Sequence, residues 1–265
     1  MKKTRLYLGI PSTGNRLDAQ VYMLRELEKR YGDRIEFVYP QWWCGRIFHD
    51  FARNEIVDEF LDSDCDILWF LDSDVCPAKH VLDLITCHGD KWQVAGAPYP
   101  VFMVAPGYGS DIKEVVYTVY NEHFKEYGLT PSRIPTSGYA FVAGMATGCL
   151  FIKREVFAQL KKPYFEFEFN PETRQLKTGE DLGFCMKLNE LDIKTFTDFS
   201  MLCNHYKEVD LLAVNDYAMK FAKIAVENYS KDAKKQMSAE VKAAIQEAFN
   251  RGREQGLKDA ESIPL

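Results

Sequence analysis

The chain has no long apolar run. Its fully apolar stretches last only a few residues, against the roughly 20 that a membrane-spanning helix requires. The opening segment "MKKTRLYLGIPSTG" carries two lysines, but its apolar run is too short for a signal peptide and has no cleavage-like site. The expected location is therefore the cytoplasm, or a host cytoplasm if the protein is viral. No C-x-x-C pair occurs among the seven scattered cysteines, which fits reduced, buried thiols rather than a disulfide framework or a structural zinc. Basic residues are not in excess: 33 Lys and Arg face 39 Asp and Glu, for a net charge of -6. That balance excludes broad non-specific nucleic-acid binding, though not a local basic groove. Internal repeats and low-complexity linkers are also absent.

What remains is an ordinary globular composition, 46% apolar and 27% charged over 265 residues, enough for one large domain or a domain with an extension. "RLYLGI" (Arg5–Ile10) reads as a strand ended by Pro11 and a small-residue loop. Asp18–Tyr31 has helical spacing, with Val21, Leu24 and Leu27 on one face. "RIEFVY" is a second strand, and Phe48–Leu61 a helix with Phe51, Ala52, Ile56, Phe60 and Leu61 as its apolar stripe. The continuous run "DILWFL" predicts a central strand covered on both faces. A helix over "AKHVLDLITC" after Pro77, a strand at "WQVAGAPY", an irregular excursion over Pro100–Tyr139, a strand at "FVAGMATGCLFI" and a short helix at "KREVFAQL" complete the pattern. Alternating strands and helices imply a mostly parallel α/β sheet. The predicted domain spans residues 1–210. Residues 211–265 read as a helical extension, with Ser238 as N-cap and Val241, Ile245, Ala248 and Phe249 on one face. Such helices pack on the domain or pair copies of the chain into a homo-oligomer.

The chemistry concentrates where "DILWFL" stops at Asp72-Ser73-Asp74. Ligands of open α/β sheets bind beyond the carboxyl ends of strands. In extended backbone the two carboxylates point the same way, where they repel unless a proton or cation intervenes. Hard ions such as Mg²⁺ or Mn²⁺ take carboxylate oxygens and share them with substrate phosphates. The plainer reading is an Asp-rich turn capping the next element.

"FARNEIVDEFLDSDCDILWFLDSDV" (Phe51–Val75) resembles a stretch of GT-A-fold glycosyltransferases, especially family 2: Ala52-Arg53-Asn54 on a helix, then an apolar strand and Asp72-Ser73-Asp74. "TGCLFIKREVFAQLKKPYFEFEF" and "TGEDLGFCMKLNELDIKTFTDFSMLCNHYKE" look like the acceptor half of the same fold, so the resemblance covers about Thr4 to Glu208. It implies a GT-A (Rossmann-like) mixed, mostly parallel sheet flanked by helices. It further implies a nucleoside-diphosphate sugar donor, UDP- or GDP-linked, held through Mn²⁺ or Mg²⁺. The implied metal ligands are Asp72, Asp74 and His205, and the implied donor contacts Pro11, Ser12, Thr13, Arg53, Asn54, Asp72, Ser73 and Gly148. Asp181 matches the general base of inverting members, with Glu180 beside it placing the acceptor; retention is compatible with the same metal residues. The plainer reading of Glu180 and Asp181 is a pair of acids offsetting a helix dipole, on a helix expected to turn Leu182, Cys185 and Met186 inward.

Two features depart from the pattern. "ELDIKTF" stands where many relatives have a glycine, and "VYPQWWCGR" (with Tyr39, Gln41, Trp42 and Trp43) replaces the acidic residue that reads uracil. Two other readings stay open: a nucleotidyltransferase with a similar metal site, for which "PSTGNR" is a poor phosphate loop, and a non-catalytic binding protein on a degenerate scaffold. His49, His80, His88 and His123 receive no role, and the acceptor is not specified.

Overall fold

The structure, a computed structural model, describes residues 2–12, 17–40, 48–104, 113–124, 128–131 and 137–206. The chain divides into two units, Met1–Lys207 and Glu208–Leu265. The second lies outside the described residues, and the expected helical extension with it.

Alternate residues of β1 (Thr4–Gly9) face two separate cores, because successive strand side chains point to opposite faces. Leu6 and Leu8 join one core, where Leu24, Leu27 and Tyr31 of α1 (Asp18–Tyr31) cover the sheet. Tyr7 joins the other, with Ile56, Val57 and Phe60 of α2 (His49–Asp62). β2 (Ile35–Val38) and β3 (Ile67–Leu71) run parallel to β1 on either side of it. Every residue of β3 is buried, as the apolar run predicts for a strand covered on both faces.

After β3 the chain makes the two-residue strand β4 (Val75–Cys76). The helix expected from Ala78 shrinks to α3 (Asp83–Thr86). Tight bonds from Val81 N to Ala78 O and from Asp83 N to His80 O precede it, letting the neighbours Val81 and Leu82 both sink into the core. β5 (Val94–Gly96) follows.

The described part of the excursion expected to be irregular is largely strand. β6 (Pro100–Val104) pairs antiparallel with β7 (Lys113–Tyr117), while β8 (Val119–Phe124), β9 (Gly128–Pro131) and the later β11 (Gly144–Met145) form a three-stranded sheet. The β-branched run Val115-Val116 suits a pleated ribbon, a signal the surrounding glycines and tyrosines obscure. β10 (Tyr139–Val142) lies between them in sequence and joins the main sheet.

β12 (Cys149–Lys153) inserts antiparallel between β3 and β5. α4 (Arg154–Phe157), the ribbon β13 (Glu168–Phe169) with β14 (Leu176–Thr178), α5 (Glu180–Glu190), β15 (Thr195–Asp198) and β16 (Asn204–His205) complete the described chain. The main sheet has the order β10-β15-β5-β12-β3-β1-β2. β10 and β12 run against the other strands. It is the mixed, mostly parallel sheet flanked by helices that the GT-A resemblance implies.

Two expected faces are corrected. Phe51, placed in the apolar stripe of α2, is exposed, and Arg53 and Val57 are buried instead. On α5 the buried residues are Glu180, Phe184, Cys185 and Leu188, not Leu182 and Met186. All six described cysteines are free, and five of them are buried. No helix among the described residues is long and apolar enough to cross a membrane.

Candidate active site

Four strand ends meet at one rim of the sheet. β1 ends before Pro11 and Ser12, β3 before Asp72, β5 before Tyr99, and β12 begins just after Gly148. The Asp72–Asp74 segment is a turn closed by Val75 N donating to Asp72 O at 3.0 Å, not continued strand. Strand alternation therefore does not set where the two carboxylates point. Each has its own partner. Gln20 of α1 braces the turn, its Nε2 donating to Asp72 O and to Val75 O, both at 2.7 Å.

Asp74 meets His205. The short ribbon of β4 and β16 pairs His205 with Val75, and Tyr206 N donates to Asp74 O at 2.9 Å. These backbone bonds bring His205 Nε2 to 3.3 Å from Asp74 Oδ2. The opposite nitrogen, Nδ1, lies 2.7 Å from the Pro100 carbonyl. A carbonyl only accepts, so Nδ1 carries a proton. In neutral imidazole Nε2 then presents a lone pair to a carboxylate oxygen, an arrangement that a shared cation or a second proton satisfies. Fixing a ligand histidine through its far nitrogen is how metal sites set the ring's tautomer.

The donor chemistry therefore fits Mn²⁺ or Mg²⁺. Among the described residues no three His, Cys, Asp or Glu side chains are grouped closely enough to cage an ion. An open pair suits ions that take their remaining ligands from substrate phosphates.

Asp72 meets Arg53. The face of α2 that packs on the sheet also carries Arg53, which is 3% exposed. Its Nη2 donates to Asp72 Oδ1 at 3.0 Å and its Nε to Glu180 Oε1 at 3.4 Å. The guanidinium carbon lies 5.4 Å from the Phe70 ring centre. Nη1 is buried without a hydrogen-bond partner among the described residues. Burial alone would lower the pKa of Arg53, but the Asp72, Glu180 and Asp181 charges push it up. One helical turn earlier, His49 Nδ1 lies 4.0 Å from the same Glu180 oxygen.

Glu180 and Asp181 open α5 after Gly179, where the helix N-terminus favours acids. Asp181 Oδ1 accepts from Leu182 N at 2.8 Å. Burial first and the neighbouring Glu180 second raise the pKa of Asp181, with Arg53 opposing.

The remaining expected residues fall in different places. Gly148 sits at the rim: its carbonyl accepts from Asp72 N at 3.0 Å, and its N–H donates to the Tyr99 hydroxyl at 3.1 Å. A Cβ there would lie 2.4 Å from that hydroxyl, so glycine is required for the close approach. Asn54 is occupied in joining α2 to the next segment, its Oδ1 accepting from Tyr164 N at 2.9 Å and its Nδ2 donating to Phe165 O at 2.6 Å. Pro11 and Ser12 are buried at the end of β1. Thr13, Gln41, Trp42 and Trp43 lie outside the described residues.

Three rim residues were not anticipated. Tyr99 stands edge-on to His205 at 5.1 Å between ring centres. Its pKa is raised by burial and then by the Asp72 and Asp181 charges. Only its place just before Pro100 marks it in the sequence. Gln20 was detectable, since it shares the buried face of Leu24, Leu27 and Tyr31, and a polar residue in an apolar stripe needs buried partners. His49 carries no sequence signal beyond its place one turn before Arg53.

No protein-family model and no curated protein matches the chain. Among solved structures it is similar to A197 from STIV, with 21% identity and a TM-score of 0.47, covering 77% of this chain and 86% of that one. It is also similar to GalNAc-T7, solved with UDP, GalNAc and Mn²⁺, with 12% identity and a TM-score of 0.46, covering 78% of this chain and 44% of that one. The chain thus spans less than half the length of GalNAc-T7.

Proposed function

We propose that the chain is a metal-dependent glycosyltransferase that moves a sugar from a nucleoside-diphosphate sugar to an acceptor hydroxyl with inversion. The observation that supports it most is the Asp74–His205 pair, joined across 131 residues with the far imidazole nitrogen held by Pro100 O at 2.7 Å. Asp74, His205 and Asp72 would hold Mn²⁺ or Mg²⁺. Such an ion supplies positive charge beside the diphosphate that leaves. Pro11, Ser12, Thr13, Arg53, Asn54, Ser73 and Gly148 are the residues assigned to the donor, a UDP- or GDP-sugar. Asp181 takes the proton of the acceptor hydroxyl, whose oxygen attacks the anomeric carbon. The bond from that carbon to the diphosphate oxygen breaks, and its electron pair leaves with the diphosphate. Glu180 places the acceptor. The burial that raises the pKa of Asp181 makes it a stronger base than an exposed aspartate.

The test is a panel of UDP- and GDP-sugars offered with Mn²⁺, following donor hydrolysis and thermal shift. Asp74→Asn is expected to abolish donor turnover while retaining the circular-dichroism spectrum. Absence of metal-dependent binding to every nucleotide sugar overturns the proposal. The engagement of Asp72 by Arg53 favours one second reading, a non-catalytic binding protein on the same scaffold, which would bind a donor in this assay without turning it over.

A further inference from the structure

Tyr99 presents a hydroxyl proton at the rim. The residue is 5% exposed, and its backbone is fixed from both sides. Tyr99 N donates to Thr118 Oγ1 at 3.3 Å, and Thr118 N donates to Tyr99 O at 3.1 Å. The phenol oxygen accepts from Gly148 N at 3.1 Å, a bond that uses a lone pair and not the proton. That proton meets no acceptor among the described residues. A buried phenol usually finds a partner, and a buried donor left without one costs free energy.

The surroundings narrow what such a partner can be. Gly148 O accepts from Asp72 N at 3.0 Å, so the phenol is tied through Gly148 to the turn after β3. On its other side the ring stands against His205. Asp72 and Asp181 are close enough that, after burial, their charges raise the pKa of the phenol, with Arg53 opposing. A ligand atom beside the phenol therefore meets one neutral donor and two carboxylates. A phosphate oxygen only accepts, and the carboxylates repel it. A hydroxyl accepts from the phenol and donates its own proton to a carboxylate, so it satisfies both.

We infer that Tyr99 recognises a hydroxyl of the donor sugar, donating to its oxygen while the sugar's own proton goes to a neighbouring carboxylate. The choice of donor over acceptor follows from Gly148 and Asp72, which tie the phenol and are both assigned above to the donor. The inference rests on the proposed nucleotide-sugar reading and deepens it. It does not depend on where a cation binds.

The experiment compares two ligands of the full chain by isothermal titration calorimetry with Mn²⁺ present. One is each UDP- or GDP-sugar that wild type binds, and the other is UDP or GDP alone. Tyr99→Phe is expected to weaken the nucleotide sugar by about threefold to tenfold, the scale of one neutral hydrogen bond. Binding of the bare nucleoside diphosphate should not change. The variant also leaves Gly148 N without its acceptor, but that structural loss weakens both ligands alike or neither. Equal losses, or no loss, in folded Tyr99→Phe therefore overturn the inference.

Should Tyr99→Phe fail to fold, 3-fluorotyrosine at position 99 keeps the ring and the hydroxyl. Fluorine makes the phenol a stronger donor and a weaker acceptor. The preference for the nucleotide sugar over the nucleoside diphosphate should then rise, and an unchanged or reduced preference overturns the inference. If wild type binds no nucleotide sugar, the proposed function and the inference fall together. If it binds them and the preference stays fixed in the variants, the inference falls and the proposed function stands.

Discussion

At the scale of the residue, Asp181 carries the clearest pH signature. Its carboxyl is raised above the ordinary aspartate value by burial and by Glu180. A carboxyl raised in the folded state binds its proton more tightly than the same group in the unfolded chain. Its contribution to stability is therefore full below the unfolded aspartate range and is lost as pH rises through the folded value. We expect wild-type thermal stability to decline across that window and Asp181→Asn to flatten the decline, as read by melting temperatures over a pH series. An unchanged slope in the variant would locate the dependence elsewhere. In a transferase assay the same titration acts in the opposite direction: activity rises with pH through the Asp181 value as the base form appears.

Single residues were also where the sequence was most misleading about neighbours. Asp72 and Asp74 were legible as the chemistry-bearing pair only as a pattern, because a turn at Ser73, not strand geometry, decides what each meets. That turn is held by Gln20 from a helix more than 50 residues upstream, a contact no local pattern contains.

At the scale of the element, α2 is anchored by its buried face and, at one end, by an arginine from another element. Near the C-terminus, Arg154 donates to Cys65 O at 2.7 Å, Phe60 O at 2.8 Å, Ser63 O at 2.9 Å and Leu61 O at 3.0 Å. Helix ends leave carbonyls without partners, and one planar guanidinium here satisfies several. Arg154→Ala should destabilise the protein by about 1.5–3 kcal/mol, the range for losing a charge-assisted hydrogen bond from a half-buried group. Arg154→Lys should recover only part of this, since an ammonium cannot span the four carbonyls. Urea unfolding monitored by circular dichroism measures both, and a loss below about 1 kcal/mol would show that the carbonyls find water instead.

In the sequence, Arg154 reads only as the start of "KREVFAQL". The helix was foreseen, and its service to another helix was not. The same limit applies to Asn54, whose place in "FARN" points to a ligand while its side chain spans to Tyr164 and Phe165. Periodicity records which face of an element is apolar. It does not record which foreign backbone a polar side chain will reach.

At the scale of the whole molecule, the order of strands governs where opening is hardest. β3 lies between β1 and β12, with every residue buried, whereas β2 lies at an edge and contains exposed Glu36. Native-state hydrogen exchange should therefore find its slowest amides in Ile67–Leu71, approaching the global unfolding free energy, and faster exchange in Ile35–Val38. Equal protection of the two strands would contradict this. The sheet itself was largely readable, because continuous apolar runs and alternating helices leave few topologies open. The antiparallel entry of β12 and the strands within Pro100–Tyr139 were not, since direction and partner depend on loops that carry no periodic signal.

That order also has a consequence for biosynthesis. β12 separates β3 from β5 in the sheet but follows both in the chain. On a ribosome, the two earlier strands emerge with a gap between them that only Cys149–Lys153 can fill, and His205 arrives later still. A nascent chain halted before residue 149 would thus expose the unpaired flanks of β3 and β5, leaving both open to a chaperone or a neighbouring chain until the missing strand is made.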